Sequence, residues 1–194
     1  MQCRRTSRCS RLLTAYASLR LPAAAERRRW VFFAKHLAAQ ESNRYILGMK
    51  IYLDMCSLQR PLDTKTQVRI AMEAEAILHI LALCASGYAT LLASDALVFE
   101  TAQNPHPIRK QYAFGVLAMA TQFVLTDSQI EARARAFHTA GLKPLDALHL
   151  ASAVAAQAEY LCTCDDRFLR RAQAMDTRPT QVISPLALVA EITR

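Results

Sequence analysis

From Met49 onward, short uninterrupted apolar runs alternate with longer stretches in which apolar positions recur every three or four residues. The run Lys50-Ile51-Tyr52-Leu53 predicts a buried strand, followed by a turn through Gln59-Arg60-Pro61. Thr66 to Ala85 carries Val68, Met72, Ile77, Leu81 and Leu83 at helical spacing and stops before Gly87, which suits a helix C-terminus. Thr90 to Ala93 predicts a second strand, with Ser94 or Asp95 capping a helix through Ala102 that the Asn104-Pro105-His106-Pro107 cluster breaks. Ile108 to Ala120 reads as helix and Phe123 to Leu125 as a third strand. Thr126 or Asp127 then caps a helix to Ala140, stopped by Gly141. Pro144 opens an Ala-rich helix to Gln157, because proline fits the first turn. Tyr160 to Thr163 is a fourth strand, Asp166 to Ala174 a helix, Val182-Ile183 a short fifth strand and Pro185 to Ile192 a closing helix. Fully apolar strands alternating with helices indicate a parallel sheet covered on both faces. The predicted fold is a three-layer α/β/α domain with a central parallel sheet of about five strands.

Charge divides the chain in two. Of its 194 residues, the first 48 hold ten Lys and Arg against Glu26 and Glu41, which accounts for the whole net charge of +8. The fourteen basic and fourteen acidic residues from Met49 onward cancel. A pI near 9.5 therefore describes an appendage rather than a basic nucleic-acid-binding body. Residues 1–48 read as a basic N-terminal extension, either an arm for RNA or anionic lipid, a targeting peptide, or a stretch outside the native fold. The apolar stretch from Leu12 to Ala25 is interrupted by Arg20, which spoils a secretory signal. Ala23 to Gln40 has the pattern of a helix. Because Met49 opens the first strand directly, 49–194 is the expected domain and Met49 a candidate start.

No apolar run approaches the roughly 18 residues of a membrane span, so a soluble, cytoplasmic protein is expected. Six cysteines without a secretory signal do not make a disulfide framework. Cys162 and Cys164, one residue apart, lack zinc-site spacing and read as structural thiols on one face of a strand in a reducing compartment.

Acidic residues stand where the strands end. In open parallel sheets, ligands bind beyond the carboxyl ends of the strands. The first strand runs into Asp54 and the fourth delivers Asp165 and Asp166. Glu100 lies on the helix after the second strand, and Asp146 is in the first turn of the helix opened by Pro144. Right-handed crossovers bring these segments to one edge, with no compensating Lys or Arg expected in the same short segments. Each acid also has a plainer explanation. Asp146 suits a helix N-terminus, Asp165 or Asp166 an N-cap, and Glu100 an exposed helix face. Asp54 is harder to place that way, since a charge directly after an apolar strand is costly when buried without a partner. Converging carboxylates repel unless a hard cation neutralises them, and Mg²⁺ or Mn²⁺ suits such oxygen ligands. Such a centre polarises a phosphoryl oxygen and activates water, the chemistry of phosphodiester hydrolysis.

At these residues the chain resembles PIN-domain ribonucleases, the group that includes the toxins of VapBC-type toxin–antitoxin pairs. The segment Pro144-Leu145-Asp146-Ala147-Leu148-His149-Leu150-Ala151-Ser152-Ala153 looks like the family's D-A-L-H-L-A helix. Leu161-Cys162-Thr163-Cys164-Asp165-Asp166-Arg167-Phe168 resembles its L-x-T-x-D-x-x-F segment. Ser94 to Glu100 resembles the stretch bearing its second acid, and Lys50 to Ser57 its opening strand and first Asp. The likeness runs from Met49 to about Pro185. It implies Asp54, Glu100, Asp146 and Asp165 as a catalytic and metal-binding quartet around Mg²⁺ or Mn²⁺. It further implies an RNA substrate cut endonucleolytically, a homodimer, and a small antitoxin partner that blocks the site. Many relatives read Asp-Thr-Asn after the first acid, whereas this chain reads Asp54-Met55-Cys56-Ser57. The hydroxyl that would hold metal-bound water is then expected from Ser57.

Other charged and titratable residues lie near these. Arg167, Arg170 and Arg171 lie next to the acidic edge, where they would hold RNA phosphates or form a solvated helix face. Glu73 and Glu75, on the first long helix, read as solvated or as supporting residues behind the site. His149 falls one turn after Asp146 on the same face, as a general base or, better, a hydrogen-bonded structural histidine. Two other functions compete with the nuclease: a catalytically inactive PIN-like module that binds RNA or protein, and a phosphatase of the haloacid dehalogenase kind. The phosphatase needs a second Asp two residues after the first, where Cys56 stands.

Overall fold

The computed structural model describes residues 48–193. The expectations for 1–47, including the helix between Ala23 and Gln40, lie outside the described residues. Five strands form one sheet in the order β3-β2-β1-β4-β5, with every neighbouring pair parallel. They are β1 (Met49–Leu53), β2 (Ala89–Ser94), β3 (Gln122–Val124), β4 (Tyr160–Cys162) and β5 (Gln181–Ile183). Eight α-helices are described: α1 (Met55–Gln59), α2 (Val68–Ala85), α3 (Asp95–Gln103), α4 (Pro107–Leu117), α5 (Ser128–Thr139), α6 (Pro144–Ala155), α7 (Asp166–Gln173) and α8 (Pro185–Ile192). Helix α8 packs on α2, while α3 and α5 both pack on α6. The fold is the three-layer α/β/α arrangement expected from the alternating pattern.

The sheet interior is apolar because its central strand is: Ile51, Tyr52 and Leu53 are completely buried, with Leu91, Leu92 and Leu161 beside them. At roughly 25 cal/mol per Å² of apolar surface, each such aliphatic side chain contributes about 1.5–3 kcal/mol. Helix ends follow local chemistry. Gly87 and Gly141, at φ 81° and 114°, provide the left-handed residue that closes α2 and α5. Asp127 caps α5 by accepting from the N–H groups of Gln129 and Ile130.

Boundaries depart from the sequence reading in three instructive places. The stretch after β1 is not simply a turn. Asp54 accepts a hydrogen bond from Ser57 N–H and starts the five-residue helix α1, which runs into a 3-10 turn at Arg60–Leu62. β2 runs one residue beyond the expected Ala93, so Ser94, one of the two caps expected, both ends the strand and caps α3, while Asp95 accepts from both the N–H and hydroxyl of Thr126 beyond β3. β3 begins one residue earlier than expected because it is an edge strand with Phe123 half-exposed, so its apolar pattern is weak.

The strand order places the site. The chain moves outward from β1 to β2 and β3, then returns to pair β4 on the other side of β1. The direction of winding reverses at β1/β4, where open α/β sheets form their crevice. Leu53 pairs with Cys162, and Asp54 N–H extends the ladder to Cys162 C=O at 3.1 Å. Asp54 and the residues after β4 therefore leave the sheet side by side.

Candidate metal centre

Asp54 emerges from the sheet almost wholly buried, at 5% exposure. One oxygen accepts Ser57 N–H at 2.8 Å, and the Cys56 thiol lies 3.1 and 3.0 Å from the two carboxylate oxygens. Burial raises the Asp54 carboxyl above its ordinary range, while hydrogen bonds from Thr163, Cys56 and Ser57 oppose the rise. The Cys56 thiol is raised in turn by its contact with Cys164, by burial and by the Asp54 charge, so it stays protonated and donates. Cys164 is lowered by that same contact with Cys56, against burial and with help from Arg60. Cys56, Cys84, Cys162 and Cys164 are all free thiols.

Across the switch point, Asp165 caps α7, accepting from Arg167 N–H at 2.8 Å and Phe168 N–H at 3.2 Å. Burial works against its charge, but these N–H donors and Lys143 outweigh it and hold the carboxyl below its usual value. Asp146 sits in the first turn of α6, as predicted from Pro144. Its pKa is pushed up to about 6 by burial; the charge of Lys143 opposes the rise, and the charges of Asp165 and Asp54 add to it. Asp54, Asp146 and Asp165 therefore share one electrostatic neighbourhood.

Glu100 joins it through His149, whose Nε2 is 2.9 Å from Glu100 Oε2. His149 also lies near both Asp54 and Asp146. Behind it, His149 Nδ1 is 2.8 Å from the Tyr52 hydroxyl, which is 2.7 Å from Ser94 Oγ.

Several details correct the sequence reading. A compensating cation is present: Lys143, directly before Pro144, places Nζ 3.1 Å from Asp165 Oδ2 and 3.8 Å from Asp146 Oδ2. Asp166 does not face this group, being paired with Arg69 at 2.5 Å. Glu73 is not solvated. It is buried between Arg69 Nε at 2.7 Å and Arg60 Nε at 3.1 Å, the latter near enough to pair but not aligned for a hydrogen bond. Glu75 is exposed and paired with Lys65. The Ser57 hydroxyl, expected to hold metal-bound water, is fully buried and donates to Cys162 C=O at 3.1 Å. Ser57 serves the site through its N–H instead. Arg167 is exposed, close enough for its charge to be felt at Lys143. Arg170 Nε donates to Asp166 C=O, and Arg171 Nη1 to Gly141 C=O.

Among the described residues, no group of three or more His, Cys, Asp or Glu side chains is arranged to hold a metal ion as it stands. The chemistry of the donor set, oxygen ligands only, is the kind a hard divalent cation takes. It offers carboxylates from β1's end and from α3, α6 and α7, two of which already share the ammonium of Lys143. Mg²⁺ usually retains several waters and takes one or two carboxylates, which such an open group can supply. Sequence reasoning passed over Tyr52, read as one more apolar strand residue, and Lys143, three residues before Asp146. The i,i+3 spacing on one helix turn was the signal for the second.

A parallel five-stranded sheet with carboxylates gathered at its switch point defines a class of α/β domain. The PIN domain family model matches residues 62–174, more than half of the chain, and the chain belongs to that family. Asp54 precedes the matched stretch, and its place beside the other acids comes from the β1–β4 register. PIN domains are generally nucleases. Among solved structures, the chain is similar to VapBC2 from Rickettsia felis bound to a DNA fragment from their promoter. That similarity has a TM-score of 0.48 and 13% identity, covering 70% of this chain and 98% of that one. No curated protein matches the chain.

Proposed function

We propose that this protein is an Mg²⁺- or Mn²⁺-dependent endoribonuclease and the toxin of a toxin–antitoxin pair. The supporting observation is the gathering of Asp54, Asp146 and Asp165, with Glu100 linked through His149, at the sheet's switch point. Asp54, Glu100, Asp146 and Asp165 would hold the ion. When bound, it polarises the phosphoryl oxygen and lowers the pKa of a coordinated water. The chain's own residues do the rest. Asp165 is held ionised by two helix N–H groups, and Asp54 is oriented by Ser57 N–H. Arg167, exposed beside the acids, would meet a backbone phosphate, as Lys143 would once displaced from Asp165.

The toxin assignment, the small antitoxin partner and the homodimer follow from the resemblance of the Pro144–Ala153 and Leu161–Phe168 segments. A cytoplasmic location is part of the same reading; among the described residues no helix is long and apolar enough to cross a membrane. Residues 1–48 are assigned as an extension outside the nuclease domain.

The test is RNA cleavage by the purified full chain with Mn²⁺, beside Asp54→Asn. Losing one ligand should remove several kcal/mol of transition-state stabilisation, or about 10²–10³ in rate. Equal cleavage by both proteins removes Asp54 from the mechanism. No cleavage of several RNAs by either favours a catalytically inactive binding module.

A further inference from the structure

We infer that Tyr52 and His149 are positioning residues that fix Glu100 for metal binding through a one-directional buried hydrogen-bond chain. The inference rests on the acidic-site reading above and extends it inward. Ser94 Oγ accepts Leu97 N–H at 3.2 Å as the cap of α3. Its hydroxyl is 2.7 Å from the Tyr52 hydroxyl, Tyr52 is 2.8 Å from His149 Nδ1, and His149 Nε2 is 2.9 Å from Glu100 Oε2. Ser94 and Tyr52 are completely buried and His149 nearly so, so each polar atom must find its partner inside the protein.

One assignment satisfies every group. Ser94 donates to Tyr52, Tyr52 donates to His149 Nδ1, and His149 Nε2–H donates to the Glu100 carboxylate. Run the other way, Ser94 Oγ would receive both Leu97 N–H and Tyr52 O–H, and its own hydrogen would need a third partner. The chain therefore selects the Nε2–H tautomer, anchored at the end of β2. One Glu100 oxygen is held by His149, which leaves the other outside that bond. Outer donors of this kind set the orientation and basicity of ligating carboxylates, and losing one weakens metal binding by about 10–100-fold.

The test combines calorimetric titration of Mn²⁺ into the full chain with ¹⁵N-histidine NMR, assigning the His149 resonances from a His149→Gln sample. The wild-type spectrum should show the Nε2–H tautomer. His149→Leu should weaken Mn²⁺ binding by ~10–100-fold. His149→Gln, whose amide can still donate toward Glu100, should recover most of the loss. Tyr52→Phe should weaken binding and redistribute the tautomers. A folded His149→Leu variant that binds Mn²⁺ like the parent overturns the inference. So does a wild-type Nδ1–H tautomer, which needs no variant to fold. Failure of the wild type itself to bind Mn²⁺ overturns the acidic-site reading, and the NMR spectrum tells the two failures apart.

Discussion

Lys143 offers the sharpest quantitative test of the site. Its ammonium spans Asp165 and Asp146 at 3.1 and 3.8 Å, where a divalent ion would bring its own charge. At an effective dielectric near 20, the nearer pair alone corresponds to about 5 kcal/mol. Lys143 is 62% exposed, however, and exposed pairs retain only about 0.2–1 kcal/mol after solvent screening. Two carboxylates sharing one lysine then total about 1 kcal/mol. Lys143→Met removes that competition, so the metal-free protein should lose ~1 kcal/mol, about 2–4 °C in Tm. Mn²⁺, which no longer displaces an ammonium, should bind ~5-fold more tightly. Calorimetric titration and thermal melts with and without Mn²⁺ read both numbers. A variant that binds Mn²⁺ more weakly than its parent refutes the competition argument.

Three further outcomes are expected. Asp146 keeps its proton up to about pH 6 when folded, against an unfolded value near 3.9. Between these the folded state binds more protons, so this group makes the metal-free protein more stable as pH falls from 7 toward 4, by roughly 2 kcal/mol. Urea unfolding in chelator measures it, and Mn²⁺ affinity should decline over the same interval because the ligand must be ionised. Glu73→Gln uncouples a buried carboxylate from Arg60 and Arg69 and should cost about 3 kcal/mol in denaturant unfolding without changing Mn²⁺ affinity. A chain begun at Met49 should match the full chain in circular dichroism and cleavage rate; loss of either would give the basic extension a part in the domain.

The sequence revealed elements whose pattern is strong and hid those decided by tertiary neighbours. β1 was legible because Ile51, Tyr52 and Leu53 are buried without interruption. The helix opened by Pro144 was legible from its fixed backbone and apolar spacing. α1 was not, because a five-residue helix before Pro61 has no room for a period and depends on the side chain of Asp54. At the site, the identity of the acids could be read, but their engagement could not. That Lys143 bends back onto Asp165 depends on where α7 starts in space. Ser57 offered a hydroxyl at the right sequence position, and Cys162 C=O, more than a hundred residues away, took it. Tyr52 looked apolar because a buried phenol sits in a strand like any other large side chain. Only Ser94 and His149 reveal what its oxygen does.

The central position of β1 also fixes when the acids can meet during synthesis. β1 pairs β2 early, but its other edge waits for β4, whose residues emerge more than a hundred positions later. Forming that pairing closes a long loop, so it comes late and incurs a large entropic cost. A chain released before Tyr160 would keep β1 as an uncovered edge strand and hold Asp54 without Asp165 beside it. The same strand order that builds the cleft keeps an unfinished polypeptide from possessing one.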